Sequence, residues 1–268
     1  MPRSAIINVM VQSAMKAGRS LARDFGEVQN LQVSLKGPGD YVSQADRRAE
    51  EILYTELSRA RPGYSFLMEE RGVVDGVDAQ HRWLVDPLDG TTNFLHGIPL
   101  FSISIALERQ GQLVAGLIYN PIMDELYTAE RGGGAFLNDR RMRVAARRQL
   151  SDAVMGTGIP HLGRGHHGKA LMDLRKVMGE VAGIRRLGSV ALDLAYVAAG
   201  RMDGFWEEAL APWDLAAGIL MVREAGGFIT DMSGSQNMLE KGSVVAGNEV
   251  IHRALLKTLQ SPVPEQRG

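Results

Sequence analysis

Trp83-Leu84-Val85-Asp86-Pro87-Leu88-Asp89-Gly90-Thr91-Thr92-Asn93 reads as a strand that ends in chemistry. Trp83, Leu84 and Val85 form a short apolar run of the kind a buried strand makes. Pro87 and Gly90 break it, with two carboxylates three residues apart at the break and the hydroxyls of Thr91 and Thr92 just beyond. Carboxylates that close repel, and one tends to protonate unless a cation sits between them. On a rigid turn at a strand end the pair suits a hard, oxygen-loving ion such as Mg²⁺. A bare Asp-x-x-Asp is more often a turn with two solvated aspartates. The apolar strand before it and the Gly-Thr-Thr-Asn after it favour the ion site here.

Upstream, Ile6, Met10, Ala14, Ala17 and Leu21 recur at three- and four-residue steps and predict an amphipathic helix. A loop holding Lys36-Gly37-Pro38-Gly39-Asp40 follows. Ser43-Gln44-Ala45-Asp46 reads as a helix start, with Ala45, Ala49, Ile52, Leu53 and Leu57 as its buried stripe and Arg61-Pro62-Gly63 as its stop. Phe66-Leu67-Met68 is a short strand that delivers Glu69 and Glu70. Downstream, Phe101, Ile103, Ile105 and Leu107 alternate onto one face, Gly111 turns the chain, and Leu113 to Tyr119 runs back. Asn120-Pro121 turns it again before Glu125 to Ala129, and a glycine triplet at 132–134 leads into Ala135 to Leu137. The pattern predicts an antiparallel meander of about four strands. The triplet lacks a following helix and lysine, so it reads as a plain turn and not a phosphate cradle.

The second half changes to mixed α/β. Helices are expected over 169–181, from Gly188-Ser189 through Ala199, over 213–225, and from an Asn248 cap to near Leu259. Phe205-Trp206-Glu207 and Val244-Val245-Ala246 read as strands. No repeat or low-complexity linker separates the halves. One compact unit is expected over residues 1–260, its antiparallel half about 1–150 and its mixed half about 151–260, with a frayed tail at 261–268.

Bulk composition narrows the function. A hydrophobic fraction of 45% with 23% charged residues is ordinary for a soluble globular chain of 268 residues. The net charge of −1 gives no electrostatic reason to expect direct nucleic-acid binding or an anionic membrane as a main partner. With no cysteine there is no disulfide framework, thiolate chemistry or zinc-thiolate site. No apolar stretch approaches the ~20 residues of a bilayer span, and the amino-terminal apolar residues are periodic rather than continuous, so a cytoplasmic protein is expected.

The carboxylates at strand ends are Glu69, Asp86 and Asp89, joined later by Asp214. Pro212-Trp213-Asp214 opens a helix, where backbone N–H groups and the helix dipole favour negative charge; simple N-capping would also explain the residue. Four carboxylates and a threonine pair together suit two-metal phosphoryl chemistry. Glu69-Glu70, the 83–93 stretch, Pro212-Trp213-Asp214-Leu215-Ala216-Ala217-Gly218 and Glu224-Ala225-Gly226-Gly227 resemble, in order and spacing from roughly residue 5 to residue 258, the signatures of the inositol monophosphatase family. These are Mg²⁺-dependent, lithium-sensitive phosphomonoesterases. The resemblance implies the α/β (α+β) class, as the layered α-β-α-β-α sandwich of the inositol monophosphatase and fructose-1,6-bisphosphatase superfamily, and a homodimer.

By the same resemblance, Glu69, Asp86 and the Leu88 carbonyl bind a first Mg²⁺, and Asp86, Asp89 and Asp214 a second. Glu69 serves a third, weaker ion, giving two or three per site. Thr91 orients the attacking water with Asp46 behind it as acceptor, although Asp46 also fits ordinary helix-start capping. The backbone N–H groups of Gly90 and Thr91 are natural phosphate ligands. Leu88, Gly188, Ser189, Val190, Glu207 and Asp214 complete the substrate set, with Glu207 aimed at substrate hydroxyls. The alternation of strand Phe205-Trp206-Glu207 favours Glu207 over Glu208 for that role. Val190 replaces a smaller family residue and narrows the pocket, and Met68 stands where a glycine is usual.

The 36–40 loop, one residue shorter than in many relatives, is the expected mobile lid. Lys36 there either bears on the charge of the metal site or is a solvated lysine. His161, His166 and His167 read as a loop near the entrance, since Mg²⁺ prefers oxygen ligands. The arginines at 140, 141, 143, 147 and 148 read as a solvated face.

The expected activity is hydrolysis of myo-inositol monophosphates, with a small polyol phosphate as partner. Fructose 1,6-bisphosphate and histidinol phosphate stay open as alternative esters. The 3′-phosphoadenosine-phosphate nucleotidases usually carry Lys-Glu where this chain has Thr92-Asn93, which points away from them. A regulatory contact with the transcription and ribosomal RNA machinery, reported for some bacterial members, is the alternative of a different class.

Overall fold

The computed structural model describes residues 3–27, 33–37, 40–160 and 165–262, without the side chains of 33–37 and 40–43. Helix α1 (Ala5–Phe25) starts where the Ser4 hydroxyl accepts a hydrogen bond from the Ile7 N–H at 3.2 Å. Its buried stripe is Ile7, Met10, Val11, Ala14, Ala17 and Leu21, with Ile6 partly buried against the same cluster. Two short strands, β1 (Val33–Gly37) and β2 (Asp40–Ser43), pair antiparallel and take in residues 36, 37 and 40 of the loop expected at 36–40. Gly-Pro-Gly punctuation marks a turn but says nothing of pairing around it. Pro38, Gly39, the Lys36 side chain, His161 and residues 263–268 lie outside the described residues.

Helix α2 (Gln44–Ala60), strands β3 (Tyr64–Met68) and β4 (Gly72–Val74), and the long strand β5 (Asp78–Asp89) follow. β5 is not broken at Pro87, as the proline suggested; it continues to Asp89 through an irregular register opposite β6 (Ser102–Arg109). A proline is tolerated where the ladder is interrupted, and here the interruption carries both aspartates of the motif. One turn of helix, α3 (Thr91–Leu95), joins β5 to β6. The meander then runs through β7 (Gln112–Asn120), β8 (Glu125–Glu130), β9 (Gly134–Leu137) and β10 (Arg140–Arg141). The first sheet has the order β10-β9-β8-β7-β6-β5-β3-β4, antiparallel except for β3 alongside β5.

The second half supplies β11 (Val154–Thr157), α4 (His167–Met178), β12 (Gly183–Arg185), α5 (Val190–Ala198), β13 (Gly204–Glu208), α6 (Pro212–Glu224), β14 (Phe228–Thr230), α7 (Met238–Lys241), β15 (Ser243–Gly247) and α8 (Glu249–Gln260). Helix α4 stops three residues earlier than its apolar spacing suggests, with Gly179 as its carboxy-terminal cap. The second sheet has the order β12-β11-β13-β15-β14. Strands β11, β12 and β14 are too short, three or four residues each, to show period-two alternation in the sequence.

Three apolar clusters define the layers. Residues of α1 and α2 pack with Trp83, Val85, Phe101, Ile103, Ile105 and Leu107 on one face of the first sheet. Its other face, including Leu84, Ala106 and Ile118, packs with α5 and α6, which also meet Phe205, Val244 and Ala246 of the second sheet. Trp206, Val245 and Met155 point the opposite way, against α8 and α4. The stack is therefore α-β-α-β-α, and the alternation of Phe205 and Trp206 to opposite faces decides which way Glu207 points. Among the described residues no helix is long and apolar enough to cross a membrane.

Helix α6 is the middle of the stack and lies close on both sides. A Cβ on Gly116 of β7 would stand 3.1 Å from the Ala217 carbonyl oxygen, and one on Gly218 would stand 2.4 Å from Leu194 Cδ1 of α5. At its far end the Glu224 carboxylate accepts hydrogen bonds from the Gly132 and Gly134 N–H groups, both at 2.9 Å. The glycine triplet is thus a turn, and its backbone donors hold a carboxylate of the protein itself.

Gly218→Ala should lower the melting temperature despite the better helix propensity of alanine, by about 1–3 kcal/mol of overpacking against Leu194. Adding Leu194→Gly, which removes the Cβ at 2.6 Å as well as the Cδ1 at 2.4 Å, should make the two changes less than additive in a thermal double-mutant cycle. Additive losses would show that the close approach of α5 and α6 is not what requires glycine there.

Candidate active site

Five elements end in one cleft: the carboxy-terminal ends of β3, β5 and β13 and the amino-terminal ends of α5 and α6. A cavity of about 720 Å³ opens there, lined by Glu69, Asp86, Leu88, Asp89, Gly90, Thr91, Gly188, Ser189, Val190, Glu207 and Asp214. Every substrate and metal residue expected from the sequence therefore faces one space. Asp46 is fully buried behind that wall and meets it through Thr91.

Three of the acidic groups, Asp86, Asp89 and Asp214, are each held by hydrogen-bond donors. The Leu88 N–H donates to Asp86 Oδ1 at 2.9 Å across the irregular end of β5. The Ser189 hydroxyl and the Ala191 N–H donate to Asp89 Oδ2 at 2.6 and 2.7 Å, so the start of α5 is tied to the aspartate turn. Ser189 caps that helix, its oxygen also accepting from the Leu192 N–H at 3.3 Å. Asp214 is not the cap of α6 but its third residue, and its Oδ2 accepts from the N–H of the cap residue, Ala211, at 2.9 Å. Alanine has no side-chain acceptor to return the bond, so only this half of a capping box forms.

The Thr91 hydroxyl lies 3.1 Å from Asp46 Oδ1 and 3.1 Å from the Leu88 carbonyl oxygen, two acceptors for its single proton. Gly90, with φ +94°, makes the turn before it; a Cβ there would stand 3.0 Å from the Leu100 carbonyl oxygen. The Asn93 amide, given no role by the sequence reading, donates to the carbonyls of Leu100 and Leu187 at 2.7 Å each. It pins the aspartate turn to the loops on both sides. His166 and His167 stand exposed at the cavity mouth, at the start of α4. The arginines at 140, 141, 143, 147 and 148 are exposed, with Arg147 reaching Asp203 at 3.2 Å.

The electrostatics follow from this crowding. Burial, then the charges of Glu69, Asp89 and Asp214, pushes Asp86 well above the usual carboxylate range. Burial pushes Asp89 up to about 6 against the opposing hydrogen bonds from Ser189 and Ala191. Glu207 is pushed up to about 8 by burial and by Asp214 and Asp89, with Arg186 pulling the other way. Asp193, missed by the sequence reading, is raised by burial and by the charges of Glu207 and Asp89. Its signal was available, as the lone carboxylate in the apolar run Val190-Ala191-Leu192-Asp193-Leu194-Ala195.

Among the described residues no three His, Asp or Glu side chains are already gathered into a shell that could hold a metal ion. The donors are nonetheless those a hard dication takes, four carboxylates and a backbone carbonyl on one cavity wall. Burial and nearby negative charge raise Asp86 and Asp89, and a bound dication would offset that cost of ionisation. The residues fit Mg²⁺, with Glu69, Asp86, Leu88, Asp89 and Asp214 as the groups to hold it.

The inositol monophosphatase family profile matches residues 3–263. A Mesorhizobium japonicum protein named inositol-1-monophosphatase is 76% identical over 98% of this chain and 99% of its own. A Pseudomonas aeruginosa protein named Nus factor SuhB is 43% identical over 97% of each chain. The crystal structure of the extragenic suppressor protein SuhB from Bartonella henselae superposes with a TM-score of 0.95 at 66% identity, over 97% of this chain and 100% of that one.

Asp86→Asn keeps an acceptor for the Leu88 N–H and removes one of the crowded charges. Because the folded state raises the Asp86 pKa, its ionisation opposes folding as pH rises from the ordinary carboxylate value through the folded one. In chelator the variant should therefore melt about 2–4 °C above wild type near pH 7.5, with the gain vanishing near pH 4. A gain that is equal at both pH values would mean that the buried negative charge of Asp86 is not its source.

Proposed function

The chain belongs to the inositol monophosphatase family, and we propose that it is a Mg²⁺-dependent phosphomonoesterase that hydrolyses myo-inositol monophosphates to inositol and phosphate. The observation that carries this reading is the Thr91–Asp46 pair, 3.1 Å apart, opening onto the same cavity as the four carboxylates. The relative named inositol-1-monophosphatase, alike over the whole length, supports the substrate.

Glu69, Asp86, the Leu88 carbonyl, Asp89 and Asp214 would hold the ions. Bound Mg²⁺ supplies Lewis acidity and charge neutralisation at the phosphate. Thr91 donates its hydroxyl hydrogen bond to Asp46, which leaves its oxygen lone pairs to accept from an attacking water and to orient it. The backbone N–H groups of Gly90 and Thr91 receive phosphate oxygens at the start of α3. Ser189, Val190 and Glu207 line the side of the cavity where the alcohol end of the ester lies. Val190 narrows that side, and Glu207 accepts from substrate hydroxyls. Little covalent chemistry falls to the protein; in-line positioning does most of its part.

A second reading, a regulatory contact with the transcription machinery, is favoured by the likeness to a protein named Nus factor SuhB. The two readings separate on Asp89→Asn. A cellular phenotype that survives this substitution rests on binding and not on catalysis. As a family property, a homodimer is proposed alongside either reading, in a cytoplasmic setting.

Purified protein should release phosphate from inositol 1-phosphate faster than from fructose 1,6-bisphosphate or histidinol phosphate. The reaction should stop with chelator, return with Mg²⁺, and be inhibited by Li⁺. Thr91→Val should lower kcat by about 10²–10⁴-fold with little change in KM. No turnover of any of the three esters with Mg²⁺ present would sink the phosphatase reading.

A further inference from the structure

Asp193 is 1% exposed, its Oδ1 has no hydrogen-bond partner, and yet the residue lines the cavity. Burying a carboxylate without partners costs several kcal/mol, and native folds keep such groups where something else completes them. The carboxylate lies over Gly156 of β11, between Met202 and Phe205; a Cβ on Gly156 would stand 3.1 Å from Asp193 Oδ1, 2.9 Å from Met202 Cε and 3.0 Å from Phe205 Cδ2. Two residues on, a Cβ on Gly158 would stand 1.8 Å from Glu207 Oε1 and 1.9 Å from its Cδ. Gly158 lies just past the end of β11, and the common facing is set by β13, where Phe205, opposite Gly156, and Glu207 are two apart on one strand. The two glycines therefore form a floor, and a carboxylate from α5 and one from β13 sit side by side upon it. Thr157, between them, is turned away and donates to the Trp206 carbonyl at 2.9 Å, which locks β11 against β13. The charge of Glu207 acts directly on Asp193, and Arg186 is the cation acting on both.

Resting on the phosphatase reading above, we propose that this floor is a two-carboxyl subsite, and that Asp193 is a second substrate-binding residue beside Glu207. The two carboxyl groups take neighbouring ring hydroxyls. A carboxyl group can serve a hydroxyl in either proton state, accepting from it as an anion or donating to it as an acid. The subsite defines the substrate class as a cyclic polyol or sugar monophosphate with at least two adjacent free hydroxyls beyond the ester. A monophosphate with one hydroxyl, or with none, leaves a buried acid unpaired and is discriminated against. Gly156 and Gly158 are specificity-determining because any side chain there would fill the floor.

The test compares kcat/KM for inositol 1-phosphate with that for 4-nitrophenyl phosphate, which has no hydroxyls. Asp193→Ala should lower the preference for the polyol ester by roughly tenfold to a hundredfold, the loss of one charged hydrogen bond. Asp193→Asn, which retains a donor and an acceptor in the same shape, should restore the preference to within about threefold. Equal loss on both esters, leaving the preference unchanged, would overturn the subsite and make Asp193 a structural residue only. Wild-type enzyme with monodeoxy inositol 1-phosphates gives a reading that does not depend on a variant folding. Two adjacent hydroxyls whose removal each lowers kcat/KM about tenfold or more are expected, and fewer than two overturns the proposal. Wild type that turns over neither ester defeats the phosphatase reading itself, an outcome distinct from any change in preference.

Discussion

Carboxylates that share a cleft repel one another, and the arrangement of the protein around Asp86, Asp89 and Asp214 answers that repulsion. Each is anchored by an N–H from the backbone beside it or, for Asp89, from the start of a different helix. Those anchors fix one oxygen of each group without neutralising its charge, because an amide hydrogen bond stabilises an anion without discharging it. Burial, together with the negative charge left standing around them, raises Asp86 and Asp89. A metal-phosphate reaction needs acids that are held in place and electrostatically unsatisfied, and a fold that had paired them with lysine or arginine would have spent the field the ions require.

The layers explain how residues so far apart in sequence share one space. The first sheet brings β5 to the cleft, and the second brings β13. Helices α5 and α6 fill the volume between the sheets and start at the same end. Gly116 and Gly218 let α6 lie close to a strand on one side and a helix on the other, which sets the position of Asp214. Asn93 ties the aspartate turn to both flanking loops, so the motif is fixed by hydrogen bonds to chain far outside itself.

Much of this was legible in the sequence where a local pattern carries the information. The alternation of Phe101, Ile103, Ile105 and Leu107 gave the face of β6, and the Phe205-Trp206 pair gave the direction of Glu207. The residues expected at the site line one cavity, because a strand-end motif and helix-start acids have few places to go in a layered fold. The misses share a cause. Strands β11, β12 and β14 are defined by partners and not by period, and Pro87 is accommodated by a register irregularity that only β6 reveals. Asp193 sits in the middle of an apolar helix, and its significance lies in the glycines beneath it, which belong to another strand.

Helix α6 is tied to the first sheet at its remote end. Asp214 closes its first turn by accepting from Ala211 beside the cleft, and Glu224 is gripped by Gly132 and Gly134 in the β8–β9 turn. Its 13 residues make a strut about 20 Å long. A rod clamped at its remote end resists sliding along its axis or turning about it. Adjustment that admits and releases a charged guest then falls more easily to side-chain rotations and to the loops at the cavity mouth. The turn between β8 and β9, one helix length from the cleft, thereby stiffens one wall of it.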